Sequence, residues 1–164
     1  MRTARQIAAD LRTLIDEGLQ LLADVPESAT TIRLADGEWC AREIIGHLID
    51  SACNNHRRFI VNQTLATLSV EPYEQNDWTM RQRYAEEPFT DLVALWSAYN
   101  RHLAHVIDAM PDDVLSQPRG PVAGLGFAYV PVDSDTASIA LLAEDYVGHI
   151  RHHFRQLRRL LPRA

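Results

Sequence analysis

Four long stretches of the chain repeat apolar residues at helical spacing, and this periodicity constrains the fold more than any other feature. The stretches cover residues 3–24, 40–68, 90–110 and 135–161. Apolar side chains that recur every three or four positions form one face of an α-helix, which must be buried against another element. No alternating strand pattern continues for more than a few residues. The sequence therefore predicts an all-α fold, a four-helix bundle.

Prolines and glycines mark the segments between the predicted helices. An irregular connector follows the second helix, and the pattern around residues 77–84 allows a short helix within it. Residues 118–131 are rich in proline and glycine, and a long loop of this kind in a small domain is often functional. The predicted N-cap of the last helix is Ser134 or Asp135.

Length and composition indicate one domain that covers residues 1–164. Hydrophobic residues make up 46% of the chain, enough for a core without disulfides. We expect Cys40 and Cys53 to be buried, reduced thiols, because their spacing fits neither a zinc ribbon nor a redox motif. The sequence has no apolar run long enough to cross a bilayer and no signal-peptide core, which favours the cytoplasm. A net charge of −6 argues against general nucleic-acid binding.

The last predicted helix carries two histidines, His149 and His153, that are four positions apart. Residues at this spacing project from one helix face and can bind one metal ion through neutral imidazole nitrogens. The same face carries Leu142 and Leu160 at its ends, so we expect it to point inward. The motif differs from the zinc-protease motif H-E-x-x-H, because Ile150 stands where that motif has a glutamate.

A third histidine, His47, lies on the second predicted helix at the edge of its apolar stripe. Asp50, Asn54 and Arg58 share its side of the helix. This polar stripe is either a solvated face or the wall of a polar cavity, and the pattern alone leaves both open. The other histidines are predicted to lie at the surface: His56, His102, His105 and His152.

Three segments resemble the DinB-like (YfiT-like) proteins. They are residues 39–59, which contain His47, residues 145–157, which contain the H-x-x-x-H pair, and the connector at residues 73–78. The resemblance spans nearly the whole chain, and the order of one histidine in the second helix and two in the last is its most specific element.

The resemblance implies a four-helix bundle with a divalent metal ion held by His47, His149 and His153. Zinc or nickel is expected first, although three imidazoles also suit copper or iron. The family includes metal-dependent thiol S-transferases and isomerases that use bacterial low-molecular-weight thiols, and many members without an assigned activity. It also suggests a homodimer.

Three classes of function follow from such a site. Three protein ligands leave coordination positions open, as in catalytic rather than structural zinc sites. The resemblance favours a thiol S-transferase that takes a low-molecular-weight thiol as a small-molecule substrate, since neither cysteine lies in a nucleophile motif. A metal-dependent hydrolase and a non-catalytic metal or small-molecule binding bundle are the alternatives. Asp50, Asn54 and Arg58 are expected to bind the substrate.

Overall fold

The computed structural model describes residues 2–124 and 127–161. Within these residues the helices, numbered in chain order, are α1 (Ala4–Leu22), α2 (Ala41–Val61), α3 (Gln75–Gln82), α4 (Phe89–Asp108), α5 (Asp112–Ser116) and α6 (Ile139–Leu160). Short 3-10 turns cover Glu27–Ala29, Tyr84–Glu86 and Ser134–Thr136. Two-residue strands β1 (Ser69–Val70) and β2 (Ala123–Gly124) pair in parallel. The predicted four-helix bundle is confirmed, with α1, α2, α4 and α6 as its long helices.

Three of the long helices, α1, α2 and α6, begin at side chains that satisfy their free backbone N–H groups. The Thr3 hydroxyl accepts from the N–H of Gln6, and the Gln6 side chain accepts in return from the N–H of Thr3. At α2, the Glu43 carboxylate accepts from the N–H of Cys40 at 2.9 Å. The carboxylate supplies the capping oxygen that a cysteine lacks.

The second helix ends seven residues earlier than the sequence predicts, at Val61 instead of residue 68. Asn62 is fully buried, and its side-chain amide donates to the carbonyls of Arg58 and Ser69, each at 2.9 Å. Its side-chain oxygen accepts from the N–H of Ser69 at 2.7 Å. These bonds end the helix and direct the chain into β1. They depend on Ser69, which lies seven positions after Asn62.

The last helix begins at Ile139, so the predicted cap at Ser134 or Asp135 is wrong. The N-cap is Ser138, whose hydroxyl accepts from the N–H of Leu141. The carbonyl of Ala137 accepts from the N–H of Arg119 at 2.7 Å, which holds the preceding chain in an extended conformation. A contact from a distant loop therefore sets where this helix starts.

One buried cluster joins all four long helices, and α4 packs most extensively, against α1 and α2. Large side chains such as Trp96, Phe59 and Phe154 fill its centre. Cys40 is buried as expected, but Cys53 is exposed, because its position on α2 faces outward. No helix in the described part of the chain is both long and apolar enough to span a bilayer.

Candidate metal centre

Three histidines from two helices meet where α2 faces α6. His47 comes from α2, and His149 and His153 lie one turn apart on α6. The Nε2 atom of His149 is 3.1 Å from that of His47 and 2.9 Å from that of His153. One ring nitrogen from each histidine lies within 4.8 Å of the others. Two nitrogens that bind one ion at about 2.1 Å lie roughly 3–3.4 Å apart, so this spacing suits a shared ion.

The three imidazoles are neutral at physiological pH. His47 and His153 are only 2% and 5% exposed. Burial lowers the pKa of His47 to about 3, that of His149 to about 2 and that of His153 to about 4. Repulsion between the neighbouring imidazoles also lowers these pKa values. Neutral imidazole is the form that binds metal ions, so no proton has to leave before an ion can enter at pH 7.

Contacts of the outward-facing nitrogens fix the orientation of two of the rings, those of His149 and His153. The Nδ1–H of His153 donates to Oε1 of Gln156 at 2.7 Å. Nδ1 of His149 lies 3.1 Å from the hydroxyl oxygen of Ser51. A histidine that donates from Nδ1 presents the lone pair of Nε2 to the other side. These contacts therefore aim the Nε2 lone pairs of His149 and His153 at the same point.

The donor set fits a divalent ion. With the protons of His149 and His153 on their outer Nδ1 atoms, their two Nε2 atoms, 2.9 Å apart, are both acceptors and cannot hydrogen-bond to each other. Nδ1 of His47 is also buried and has no hydrogen-bond partner among the described residues. Trp39 covers this ring, with the two ring centres 4.8 Å apart. A bound ion would satisfy the three inward nitrogens at once.

A buried carboxylate, Asp50, lies one turn after His47. One of its oxygens accepts from the hydroxyl of Tyr84 and from the side-chain amide of Gln82, each at 2.7 Å. The other oxygen is buried without a partner in the described residues. Burial raises the pKa of Asp50, and the two hydrogen bonds oppose that rise. Tyr84 in turn packs on Gly46, where a Cβ atom would lie 2.1 Å from its ring.

A cavity of about 230 Å³ opens beside the histidines. Its wall includes His47, His149, Ser51, Arg58, Tyr73 and Tyr129. A larger cavity of about 300 Å³ lies on the far side of Trp39 and Gln156, and none of the three histidines lines it. The smaller cavity is therefore the one that reaches the histidine cluster.

The loop that carries Tyr129 is fastened to α6 by a single carboxylate. One oxygen of Asp145 accepts from the backbone N–H groups of Ala128, Tyr129 and Val130, at 2.9, 2.6 and 3.1 Å. The ring of Tyr129 lies 5.6 Å from that of His149. Gly148 makes this approach possible, because a Cβ atom there would lie 2.6 Å from that of Tyr129. The loop thus forms one wall of the histidine site.

The chain is similar to proteins from several species of Bacillus. It is 24% identical over 160 residues to YfiT of Bacillus subtilis strain 168, named as a candidate metal-dependent hydrolase, and the match covers 90% of this chain and 84% of YfiT. A protein of Bacillus mycoides strain KBAB4 with the same type of name is 24% identical over 161 residues, covering 92% and 87%. No family model matches the chain.

The fold also matches a solved structure, that of YfiT from Bacillus subtilis, with a TM-score of 0.76. The match covers 96% of this chain and 85% of the other at 19% identity. That protein is described as having an unusual four-helix bundle topology. This chain resembles YfiT in both sequence and fold. The resemblance expected from its helix motifs is confirmed.

The fold brings some of the predicted site residues together and keeps others apart. His47, His149 and His153 converge, and Arg58 lines the cavity beside them. Asp50 and Asn54 are absent from the cavity wall. Asn54 donates to the backbone carbonyl of Asp50 at 2.9 Å. Metal binding by the three histidines and substrate binding by the other three residues stay predictions.

The remaining histidines lie outside the cluster. His102 and His105 are exposed, whereas His56 is partly buried against Tyr99, whose hydroxyl lies 3.2 Å from its Nδ1. His152 contacts Gln156 and Tyr129 at the edge of the site. No pattern in the sequence indicates Tyr129 as a site residue, because its contact with α6 depends on the path of the loop. The Gly/Pro-rich loop itself is only partly described, since residues 125 and 126 fall outside the described residues.

Proposed function

We propose that this chain is a metal-dependent hydrolase in which His47, His149 and His153 hold a divalent ion. The observation that carries the proposal is the meeting of three neutral imidazoles whose Nε2 atoms lie 2.9 and 3.1 Å apart. Two of them, His47 and His149, line a cavity. The names of the Bacillus relatives agree with a metal-dependent hydrolase. Zinc or nickel is the ion that we expect first.

The chemistry supplied by such an ion, with coordination positions left open, is activation of water or a thiol at neutral pH. The chain's own residues prepare the site for it. Gln156 and Ser51 hold the rings of His153 and His149, and Trp39 shields His47 from water. Asp145 keeps the loop wall closed over the cavity. The substrate enters beside Ser51 and Arg58.

A thiol S-transferase that uses a low-molecular-weight thiol is the competing activity. The resemblance of the sequence favours it, but the relatives are named hydrolases and nothing in the cavity selects a thiol. A binding bundle without catalysis is the third class. The homodimer also stays a prediction, which sedimentation tests by a mass near twice the 18.6 kDa of one chain.

The test of the metal site is metal content by mass spectrometry across single histidine variants. We expect His47→Ala, His149→Ala and His153→Ala each to lose bound metal, because the remaining pair loses the chelate geometry. His152→Ala and His102→Ala are matched controls and keep it. Full metal occupancy in His47→Ala together with its loss in His152→Ala would place the site elsewhere.

The test of the activity is an assay of the metal-loaded protein against two sets of compounds. The first contains esters and amides without a thiol, and the second contains electrophiles together with a low-molecular-weight thiol. Hydrolysis that disappears in the metal-free protein and in His47→Ala supports the proposal. Products that form only when thiol is present identify the transferase, and tight binding without turnover identifies a binding module.

A further inference from the structure

Arg58 is a buried cation in the wall of the histidine cavity. It is only 8% exposed, and it shares the cavity with His47 and His149. Burial lowers its pKa, but an arginine stays protonated at any physiological pH. A positive charge removed from water is normally matched by a nearby negative charge, because isolated buried charges are costly.

The hydrogen-bond partners of Arg58 are neutral oxygens. One terminal nitrogen donates to the backbone carbonyl of Glu71. The other donates to the side-chain oxygen of Asn55 at 3.4 Å. Among the described residues no carboxylate forms an ion pair with it, since every ion pair there involves another arginine. Two of its five N–H donors are therefore used, and both by uncharged groups.

The nearby carboxylates are engaged elsewhere. The Glu71 carboxylate pairs with Arg57 at 2.7 Å, on the exposed side of α2. Asp145 uses one oxygen to accept three backbone N–H groups of the loop. Both carboxylates lie near enough to raise the pKa of Arg58 slightly, but neither contacts it. Asp145 also lines the cavity, but it does not pair with Arg58, so the guanidinium has no carboxylate at ion-pair distance among the described residues. A divalent ion at the imidazoles would add a further positive charge beside it.

We propose that Arg58 binds an oxyanion group of the substrate while the reacting group of the same molecule lies at the three histidines. The proposal rests on the proposed function and names its substrate class, a small molecule that carries a carboxylate or a phosphate. The planar guanidinium matches either group through paired hydrogen bonds. A cavity of about 230 Å³ suits a small molecule, since a water molecule in the liquid takes roughly 30 Å³.

The alternative is that Arg58 only fastens the connector through the carbonyl of Glu71. Both roles predict that removing the arginine disturbs the protein, so stability alone does not separate them. Only the anion-binding role predicts that the protein distinguishes a charged ligand from a neutral ligand of the same shape. Discrimination between such a pair is therefore the quantity to measure.

The experiment measures binding of 3-mercaptopropanoate and of neutral 3-mercaptopropanamide to the zinc-loaded protein by calorimetry. Both thiols can reach the ion, and they differ only in the charge of the far end. We expect the acid to bind roughly 10- to 100-fold more tightly, the range for a hydrogen bond to a charged group. Arg58→Gln removes this preference, and Arg58→Lys keeps part of it because the charge remains.

Arg57→Gln is the matched control, because it removes the same charge from the neighbouring, exposed position. It should keep the full preference for the acid. Competition by propanoate and by inorganic phosphate then identifies which oxyanion the cavity prefers. The proposal is overturned if the wild-type protein binds the acid and the amide equally, or if Arg57→Gln and Arg58→Gln reduce the preference to the same extent.

The metal site and the anion site can fail separately. Metal analysis of each sample reports on the three histidines. The comparison is repeated on the metal-free protein with propanoate and propanamide, which have no thiol and do not need the ion. Retention of zinc without an acid preference overturns the role of Arg58 and leaves the metal site standing. An acid preference in a protein that binds no zinc overturns the metal site and supports the anion site.

Discussion

At the scale of single residues, the histidine site depends on the groups that hold the rings as much as on the rings themselves. His153 and His149 have partners for their outer nitrogens, and the outer nitrogen of His47 has none among the described residues. Outer partners of metal-binding histidines fix ring orientation and increase ligand basicity. Gln156 is the clearest such partner, because its hydrogen bond to His153 is short and its only other side-chain hydrogen bond within the described residues is with His152.

Replacing Gln156 with leucine should weaken metal binding without removing a ligand. The variant keeps the size of the side chain but leaves Nδ1 of His153 without an acceptor, and losses of this kind reduce metal affinity about 10- to 100-fold. Gln156→Glu restores an acceptor oxygen and should bind metal at least as tightly as the wild-type protein. Competition with a chromophoric chelator measures both. Equal affinities in the leucine and glutamate variants would contradict the role of Gln156.

At the scale of helices, local patterns predicted which segments are helical. Distant contacts determined where one of them ends and where another begins. The apolar stripes of α1 and α4 place their ends within two residues of the observed bounds. The end of α2 depends on Asn62 meeting Ser69, and the start of α6 depends on Arg119 meeting Ala137. These partners come together only after the bundle forms, so no window of sequence contains the signal.

The histidine site also combines features that local patterns predict with features that depend on distant contacts. The face shared by His149 and His153 follows from helical spacing, which the sequence displays directly. The approach of His47 follows from the packing of α2 on α6, which the family resemblance supplied and the helical spacing did not. The contact between Tyr129 and His149 depends on a loop fastened through Asp145, sixteen positions from the tyrosine. Such loop contacts are the part of the site that the sequence could not predict.

Asn62 should contribute more to the free energy of unfolding than its neighbour Gln63. Asn62→Ala removes three hydrogen bonds from a fully buried position and leaves the N–H of Ser69 without its acceptor. We expect it to lower the free energy of unfolding by about 1–3 kcal/mol. Gln63→Ala is the control, because it removes the hydrogen bond that the Gln63 side-chain amide donates to the carbonyl of Phe59 on a partly exposed turn. Urea denaturation of both variants measures the difference, and equal losses would show that Asn62 does not anchor the turn.

Gly46 is a second position where packing should outweigh helix propensity. Alanine normally stabilises a helix interior by about 1 kcal/mol relative to glycine. Here its Cβ atom would lie 2.1 Å from the ring of Tyr84, so the ring must move and its bond to Asp50 must break. We expect Gly46→Ala to lower the free energy of unfolding by about 1–3 kcal/mol.

A double-mutant cycle isolates the contact between Gly46 and Tyr84. In the Tyr84→Ala background the space beside residue 46 is open, so Gly46→Ala should stabilise the protein as helix propensity predicts. The measurement is again urea denaturation of the four proteins. If Gly46→Ala has the same effect in both backgrounds, the ring of Tyr84 is not what requires glycine beside His47.

At the scale of the whole molecule, the histidine cluster links folding to pH. The pKa values of His47, His149 and His153 are lowered in the fold to about 3, 2 and 4, whereas an unfolded histidine has a pKa near 6.5. Between these values the unfolded chain binds protons that the folded chain does not. The stabilisation is therefore fully present above about pH 6.5 and is lost as pH falls toward the folded pKa values.

The metal-free protein should consequently lose stability steeply on mild acidification. Each histidine contributes a slope of about 1.4 kcal/mol per pH unit once the unfolded form is protonated, so the three together contribute about 4 kcal/mol per unit near pH 5. His47→Ala should reduce the slope by about one third, because the other two histidines of the cluster remain. Denaturation at pH 7.5, 6 and 5 with a chelator present measures these slopes. An ion bound only to the folded state adds stability at pH 7.5. Because protons compete with the ion for the same nitrogens, this added stability should disappear as the pH falls from 7.5 to 5. A slope that is the same in His47→Ala and in the wild-type protein would mean that the buried histidines are not the groups that couple this fold to pH.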